Sequence, residues 1–511
     1  MIFEILYAMR IHSFLLFILC FVLGVNTIHA SNKTPKLNIK TCTHVAPEGT
    51  ELNDDFSVEI LENGCWLNVP SYNVKVDQVL NATHHVENAS MAYFTIEQKT
   101  KVRIVSRKSK IESLRIRPLS ANVTPTVNGD TILLEVVDAK VLSVEINGDL
   151  YHNLHLIPNP KYEAPKKVRK GPKTTIFGPG YHVLPNGVYN ASSGETIYIA
   201  EGAWVEGGIS VIGVENVRVY GPGIIRPKDR GYGVEIKKSR NVLVEGITTT
   251  QVPTGGSEYV TLRNIKCFTH YGWGDGMNIF ASSHVVQDGC FGRNSDDCVT
   301  VYATRMGHVG NAQHIEIKNM TLWADVAHPI FIGLHGAAAY IADNKDRGID
   351  LLPNAEEIVK RNDTISDILF SNIDILEQNE KQIDYQGCMS IVCGDNNIVK
   401  DITFENVRVD SIRTGSLLML RVFENEKYCK APGKSISNVT FRNVSAKNSG
   451  ELSIIEGYNA ERNISNITFE NLQIDGVVIS DDMEGKPRWY KTTDMCRMLL
   501  GSFVEGITFK K

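Results

Sequence analysis

Three carboxylates and a histidine mark the stretch from Gly274 to His328: Asp275, the adjacent Asp296 and Asp297, and His328 one segment later. Each acid ends a segment of alternating apolar residues. Carboxylates gathered this closely repel one another, and a fold tolerates that where one must stay protonated as an acid while another stays ionised as a base. Glycoside hydrolysis has that requirement. Gly-Asp-Gly and Asn-Ser-Asp-Asp are also ordinary turn compositions, so the reading depends on the elements that carry the acids.

Those elements repeat. A unit of the form Asn/Asp-Ile/Val-x-Phe/Leu/Ile/Val-x-Asn/Gly recurs at Asn241–Gly246, Tyr259–Asn264, His314–Asn319, Asp367–Asn372, Asp401–Asn406, Asn438–Asn443 and Asn466–Asn471, with a partial copy at Gly506–Phe509. The spacings are irregular, but many fall in the twenties to thirties of residues that mark a solenoid. Alternate apolar side chains point one way and polar ones the other, and the closing Asn or Gly turns a corner. Stacking such units buries the apolar rows and lets corner Asn amides ladder. The expected fold is all-β, with a right-handed parallel β-helix over residues 175–511. The 21-residue step from Asp275 to Asp296 suits one turn of that helix and would stack the carboxylates on one face. Helical periodicity is nearly absent; the expected helical patch is Asn354 to Lys360, inside the long Gly336 to Thr364 interruption, which is long enough to wall a groove.

Residues 31–160 read as a separate β-sandwich. Short alternating segments at Phe56–Ile60, Asn73–Val79, Tyr93–Ile96, Val102–Val105, Leu114–Ile116, Ile132–Val136 and Val141–Ile146 are split by turn residues, the last running into Asn147-Gly148. No catalytic constellation falls in it, which suits a packing or carbohydrate-facing accessory domain. Residues 161–174, rich in Pro and Lys, read as a linker.

With the acids placed on repeats, the stretch from Gly274 to His335 resembles the active-site coils of β-helix glycoside hydrolases, the polygalacturonase-like family 28 and the dextranase and isopullulanase family 49. The polygalacturonase pattern runs Asn-Thr-Asp, Asp-Asp, Gly-His-Gly, Arg-Ile-Lys; this chain has Gly-Asp275-Gly, Asp296-Asp297-Cys298 and Ala-His328-Pro. It departs at Gly274, at Pro329, and in Gly387–Cys393, where no basic residue stands. The run Leu322–Pro329 and a sandwich ahead of the helix are closer to the dextranase side. The resemblance covers roughly residues 130–511 and implies an inverting hydrolase. Asp296 is then the general acid, and Asp275 with Asp297 activates water. His328 stays open between an orienting donor beside the acid, a substrate contact and a core histidine. Trp273, Tyr302, Arg305, Trp323 and Asp325 flank these positions as candidate substrate contacts, Trp323 reading equally as a core or corner aromatic. His335 and Arg421 occupy comparable stretches of later coils.

Without a cation in Gly387–Cys393 to receive a sugar carboxylate, the expected substrate is a neutral polysaccharide, an α-glucan such as dextran. Arg305 and Arg421 keep an acidic pectic polymer as the alternative. A non-catalytic carbohydrate-binding β-helix is the reading from another class, but a binder has no reason to gather three acids and a histidine in two coils. A lyase would need a Lys or Arg base, which the coil after His328 lacks.

The 511 residues suffice for two or more domains, and a net charge of -5 argues against nucleic acid as a partner. Met1–Ala30 reads as a secretory signal, with Arg10 ahead of the apolar run Phe14–Val25, which is too short for a membrane span. A secreted, soluble, monomeric protein is expected, with N-glycosylation at some of its Asn-x-Ser/Thr sequons. Of ten cysteines, Cys20 lies in the signal; an oxidising compartment suggests pairs by proximity, Cys42–Cys65, Cys290–Cys298, Cys388–Cys393 and Cys429–Cys496. No Cys/His spacing fits a structural metal, and no cofactor is expected.

Overall fold

A computed structural model describes residues 43–166 and 173–511. The signal read at Met1–Ala30, Cys42 and part of the linker lie outside the described residues. Two five-stranded sheets form the sandwich. One orders Cys65–Val69, Phe56–Glu62, Thr100–Ser106, Thr131–Val136 and Thr126–Asn128; the other orders Ser71–Leu80, Thr83–Ile96, Leu154–Pro160, Leu142–Ile146 and Leu114–Arg117. Alternating apolar residues such as Val58, Ile60, Val102, Ile104 and Ile132 fill the space between the sheets. The strand Leu154–Pro160 escapes the sequence pattern: it carries two prolines, and its apolar residues run on without alternating because both faces are buried.

From Thr174 to Lys510 the chain winds as a right-handed parallel β-helix, each strand pairing with the strand one coil on. The repeat explains this directly. Phe370, Phe404, Phe441, Phe469 and Phe509 stack in the interior with ring centroids 4.6 to 5.0 Å apart, near the spacing of adjacent strands. The closing asparagines turn the corner in the left-handed region, with φ of 53°, 56°, 52° and 52° at Asn372, Asn406, Asn443 and Asn471, a conformation Asn accepts better than most residues. Their amides form the expected ladder: Asn443 Nδ2 donates to Asn406 (3.1 Å) and Asn471 Nδ2 to Asn443 (2.9 Å). Between Gly333 and Thr364 the repeat is broken by two short helices, α1 (Tyr340–Asp346) and α2 (Ala355–Ile358). The second falls where a helical patch is expected, and the first is additional. Among the described residues no helix is long and apolar enough to cross a membrane.

The second sandwich sheet packs its outer face on the β-helix. Tyr72, Val74, Met91, Tyr93 and Ile157 meet Ile224, Phe268, Phe291, Trp323 and Leu376 in one buried cluster. Beside it lies a buried ionic network. Arg117 pairs with Glu145 and Glu377 (both 2.7 Å), Arg413 with Glu377 (3.0 Å) and Arg293 with Asp325 (2.8 Å). Trp323 is held between the guanidinium groups of Arg117 (4.6 Å) and Arg293 (4.1 Å), and its Nε1–H donates to Asp325 (2.9 Å). This corrects the reading of Trp323 and Asp325 as substrate contacts: both are 0 % exposed, because the face of the strand Thr321–Ala324 that would meet solvent in a bare β-helix meets the sandwich. Removing Arg117 leaves Glu145 and Glu377 buried without it, so Arg117→Met should destabilise by about 3–5 kcal/mol. Urea unfolding measures this, and a loss under about 1 kcal/mol would mean the pairs contribute little to docking.

Three of the expected cysteine pairs, Cys290–Cys298, Cys388–Cys393 and Cys429–Cys496, also need correction, since these six cysteines are free thiols; Cys42–Cys65 involves a residue outside the described ones. The strand Phe291–Asn294 separates Cys290 from Cys298, and the strand Met389–Cys393 separates Cys388 from Cys393. At about 3.3 Å per residue, the extended strand Met389–Cys393 holds Cys388 and Cys393 beyond the roughly 7 Å that a bridge allows between Cα atoms. Cys429 and Cys496 belong to different buried clusters.

Candidate active site

One corner of the β-helix gathers the acids. Asp275 lies between the strands Lys266–Phe268 and Ile279–Phe280, Asp296 and Asp297 between Phe291–Asn294 and Val299–Tyr302, and His328 between Thr321–Ala324 and Ile330–Gly333. Gly276 N donates to Asp297 O and Cys298 N to His328 O, each at 2.8 Å, so the three segments are direct neighbours in successive coils. Gly274 and Gly276 permit this approach: a Cβ on Gly274 would collide with Ser295 Oγ, and one on Gly276 with the Cys298 carbonyl. Asn294 braces the corner, its Nδ2 donating to Thr269 Oγ1 (3.1 Å) and to the Asp275 carbonyl (3.3 Å).

The acids stand in different electrostatic settings. Burial, reinforced by the neighbouring Asp275, Asp297 and Glu380 charges, pushes Asp296 well above the carboxylate range. Asp275 is pushed up to about 7 by burial and by Asp297, against the pull of Arg305 and a hydrogen bond from Asn278 Nδ2. Asp297 Oδ1 accepts from the His328 backbone N–H (3.1 Å) and from ring Nδ1 (2.7 Å). His328 Nε2 lies 2.6 Å from the Tyr385 carbonyl. A carbonyl can only accept and a carboxylate does so when ionised, so this environment suits an imidazolium with both N–H groups donated. Burial opposes that charge, but Asp297, Glu380 and the Tyr385 carbonyl outweigh it and raise the His328 pKa.

The remaining expected contacts divide. Trp273, just before Asp275, is 79 % exposed, with Arg230 over one face at 5.5 Å. Tyr302 points outward from its strand but is covered, stacked on Phe280 (5.8 Å) with Arg305 over its ring (4.3 Å). Arg305 bears electrostatically on Asp275, and its Nε has no hydrogen-bond partner. Arg421 is held by Glu456 (2.9 Å) and Asp384 (3.4 Å). His335 packs edge-on against Tyr302 at 5.5 Å.

Sequence reasoning missed Glu380 and Tyr385. Glu380, 5 % exposed, is a fourth carboxylate acting on Asp296 and His328. It follows the end of its strand, Thr364–Asn379, as the Asp pair follows Asn294, and that position was its signal. Tyr385 contributes a backbone carbonyl, for which no sequence signal exists. Among the described residues no group of three or more His, Cys, Asp or Glu side chains is placed to hold a metal ion.

No protein-family model matches the chain, and no curated protein matches it. Among solved structures it is similar to Dex49A from Penicillium minioluteum, at 12 % identity and a TM-score of 0.49, over 90 % of this chain and 96 % of that one. It is also similar to the family 28 exopolygalacturonase of Yersinia enterocolitica, at 11 % identity and a TM-score of 0.45, over 80 % of this chain and 96 % of that one. A third is the catalytic domain of a GH87 α-1,3-glucanase in complex with nigerose, at 11 % identity and a TM-score of 0.36, over 89 % of this chain and 100 % of that one. These are likenesses of fold.

Proposed function

We propose that the protein is a secreted polysaccharide hydrolase that cleaves glycosidic bonds with inversion. The observation that carries this reading is the gathering of Asp275, Asp296 and Asp297 at one corner of adjoining coils, where burial and neighbouring negative charge push the Asp275 carboxyl up to about 7 and Asp296 well above the carboxylate range. Asp296, kept protonated, delivers a proton to the leaving glycosidic oxygen. Asp275 and Asp297 take a proton from the attacking water, for which inverting sites leave about 6.5 to 9.5 Å between the carboxyl groups. His328 orients Asp297 through its backbone and ring N–H groups.

The favoured substrate is a neutral α-glucan. In the coil beyond His328, Met389 and Ile391 join the interior cluster, leaving Ser390 and Val392 on the outer face; neither can receive a sugar carboxylate. Arg421 is engaged by two acids of its own. One observation favours the acidic alternative, the unpartnered Nε of Arg305 beside Asp275, since a buried carboxylate needs such a cation.

A reducing-sugar assay on dextran, pullulan, polygalacturonate and other polysaccharides tests the reading, with ultraviolet absorbance reporting any unsaturated product. Proton NMR of the first product should show the anomer opposite to that of the cleaved bond. Retention would mean a covalent intermediate, and unsaturated product a lyase; either removes the mechanism, and an inert protein leaves only a binding role.

The pH dependence follows from the same groups. The base must be ionised, and Asp275 has its pKa raised to about 7, so activity should fall as pH drops through neutrality. The alkaline limb belongs to Asp296, whose proton is retained well above the carboxylate range. The two limbs report macroscopic values of the coupled set. A profile still flat at pH 5 would show that no raised carboxylate has to ionise.

A further inference from the structure

The coils on the two sides of the acids differ in access. Toward earlier coils the corner is open: Trp273 is 79 % exposed, Arg230 is exposed, and Tyr232 and Gln251 are half-buried. Toward later coils the same corner is sealed, with His328, Gln386 and Ser416 exposed by only 2, 4 and 0 %. The adjoining outer face is covered on the acids' own coils too, at Phe280 and Tyr302 (4 and 2 % exposed), and that cover continues into the later coils. Phe331, Val392 and Met419, on three successive strands, are exposed by 2, 0 and 0 % beneath Tyr385, Tyr428 and Cys429.

The seal is fastened at several points. His328 Nε2 binds the Tyr385 carbonyl at 2.6 Å. The Tyr385 hydroxyl donates to Tyr428 Oη (2.8 Å), whose own hydroxyl donates to Gln382 Oε1 (2.9 Å), and Asp384 pairs with Arg421 at 3.4 Å. The segment Glu380–Gln386 is thereby tied to His328, to the strand Leu418–Val422 and to the loop around Tyr428. A polymer cleaved in mid-chain needs room for sugar units on both sides of the scissile bond. Adjacent coils are only about 4.8 Å apart, so the wall begins within one coil of the Asp pair.

We propose that the site is a dead-end cleft, and that the enzyme takes polysaccharide chain ends, releasing a short product of fixed size while the rest of the chain leaves past Trp273 and Tyr232. This rests on the hydrolase reading above and adds to it where on the polymer the cut falls. Side chains that hold the seal are then specificity determinants: without them the closed side can admit a longer segment.

The test is product analysis by size from the first minutes of reaction, on dextran and in parallel on polygalacturonate. The expected result is a single short saccharide from the outset, with polymer size and viscosity falling slowly. An early ladder of intermediate lengths overturns the dead-end cleft and leaves the hydrolase reading standing; no hydrolysis of either polymer or of the wider panel overturns both. A second measurement uses Tyr428→Ala with Asp384→Ala, two seal residues outside the proposed acid–base set, its fold checked by circular dichroism. Longer early products from this variant support the wall, and an unchanged product size shows that the seal does not set it.

Discussion

Asp296→Asn should yield a folded protein whose turnover is lower by about 10² to 10⁴ or more, the usual worth of general acid catalysis. The amide keeps the shape of the carboxyl but cannot deliver a proton to a leaving oxygen. It also removes a group whose neighbours, Asp275, Asp297 and Glu380, disfavour a charge there, so stability should hold or rise slightly. Turnover on the best substrate from the panel, with urea unfolding alongside, measures both. A folded variant that retains more than about a tenth of wild-type activity would take Asp296 out of the acid role.

Asp297→Asn should be comparably severe for a different reason. One oxygen of this side chain receives both the backbone N–H and the ring Nδ1–H of His328. Without the carboxylate charge, burial drives His328 toward its neutral form, which can donate from only one ring nitrogen. Either the bond to residue 297 or the one to the Tyr385 carbonyl then weakens. Loss of a water-activating carboxylate predicts a fall in turnover of about 10² to 10⁴, and the disturbed hydrogen bonds a stability loss of about 1–3 kcal/mol. The ring ¹⁵N shifts of His328 provide an independent check: an imidazolium at neutral pH in the wild type and a neutral ring in the variant. A wild-type ring that is already neutral would remove the electrostatic half of the argument even if activity falls.

The fold was legible because its determinants are short-range and periodic. The Phe at the fourth position of each late repeat had to stack once the coils formed, and the closing Asn had to take the left-handed corner, as the rings of Phe370 to Phe509 and the φ angles at Asn372 to Asn471 show. The acids were legible by their type and by a spacing that suits one coil, which the neighbouring backbones of Gly276 and Asp297 reflect.

Tertiary structure decided what covers each outward face. The strand Thr321–Ala324 is buried on both faces, and a parallel strand buried on both sides has no alternation to say which partner it meets. Only the docked sandwich reveals that Trp323 and Asp325 belong to an ionic seam and not to the cleft. Cys388 and Cys393 do not pair because nearness in sequence is distance in space when an extended strand lies between. Glu380 and the Tyr385 carbonyl reach the site only because the segment after Asn379 folds back over His328, a long-range contact made by groups that carry no periodic signal. Local pattern determined the coils and the chemistry available at their corner; packing between distant segments decided which side chains share that corner and which way it opens.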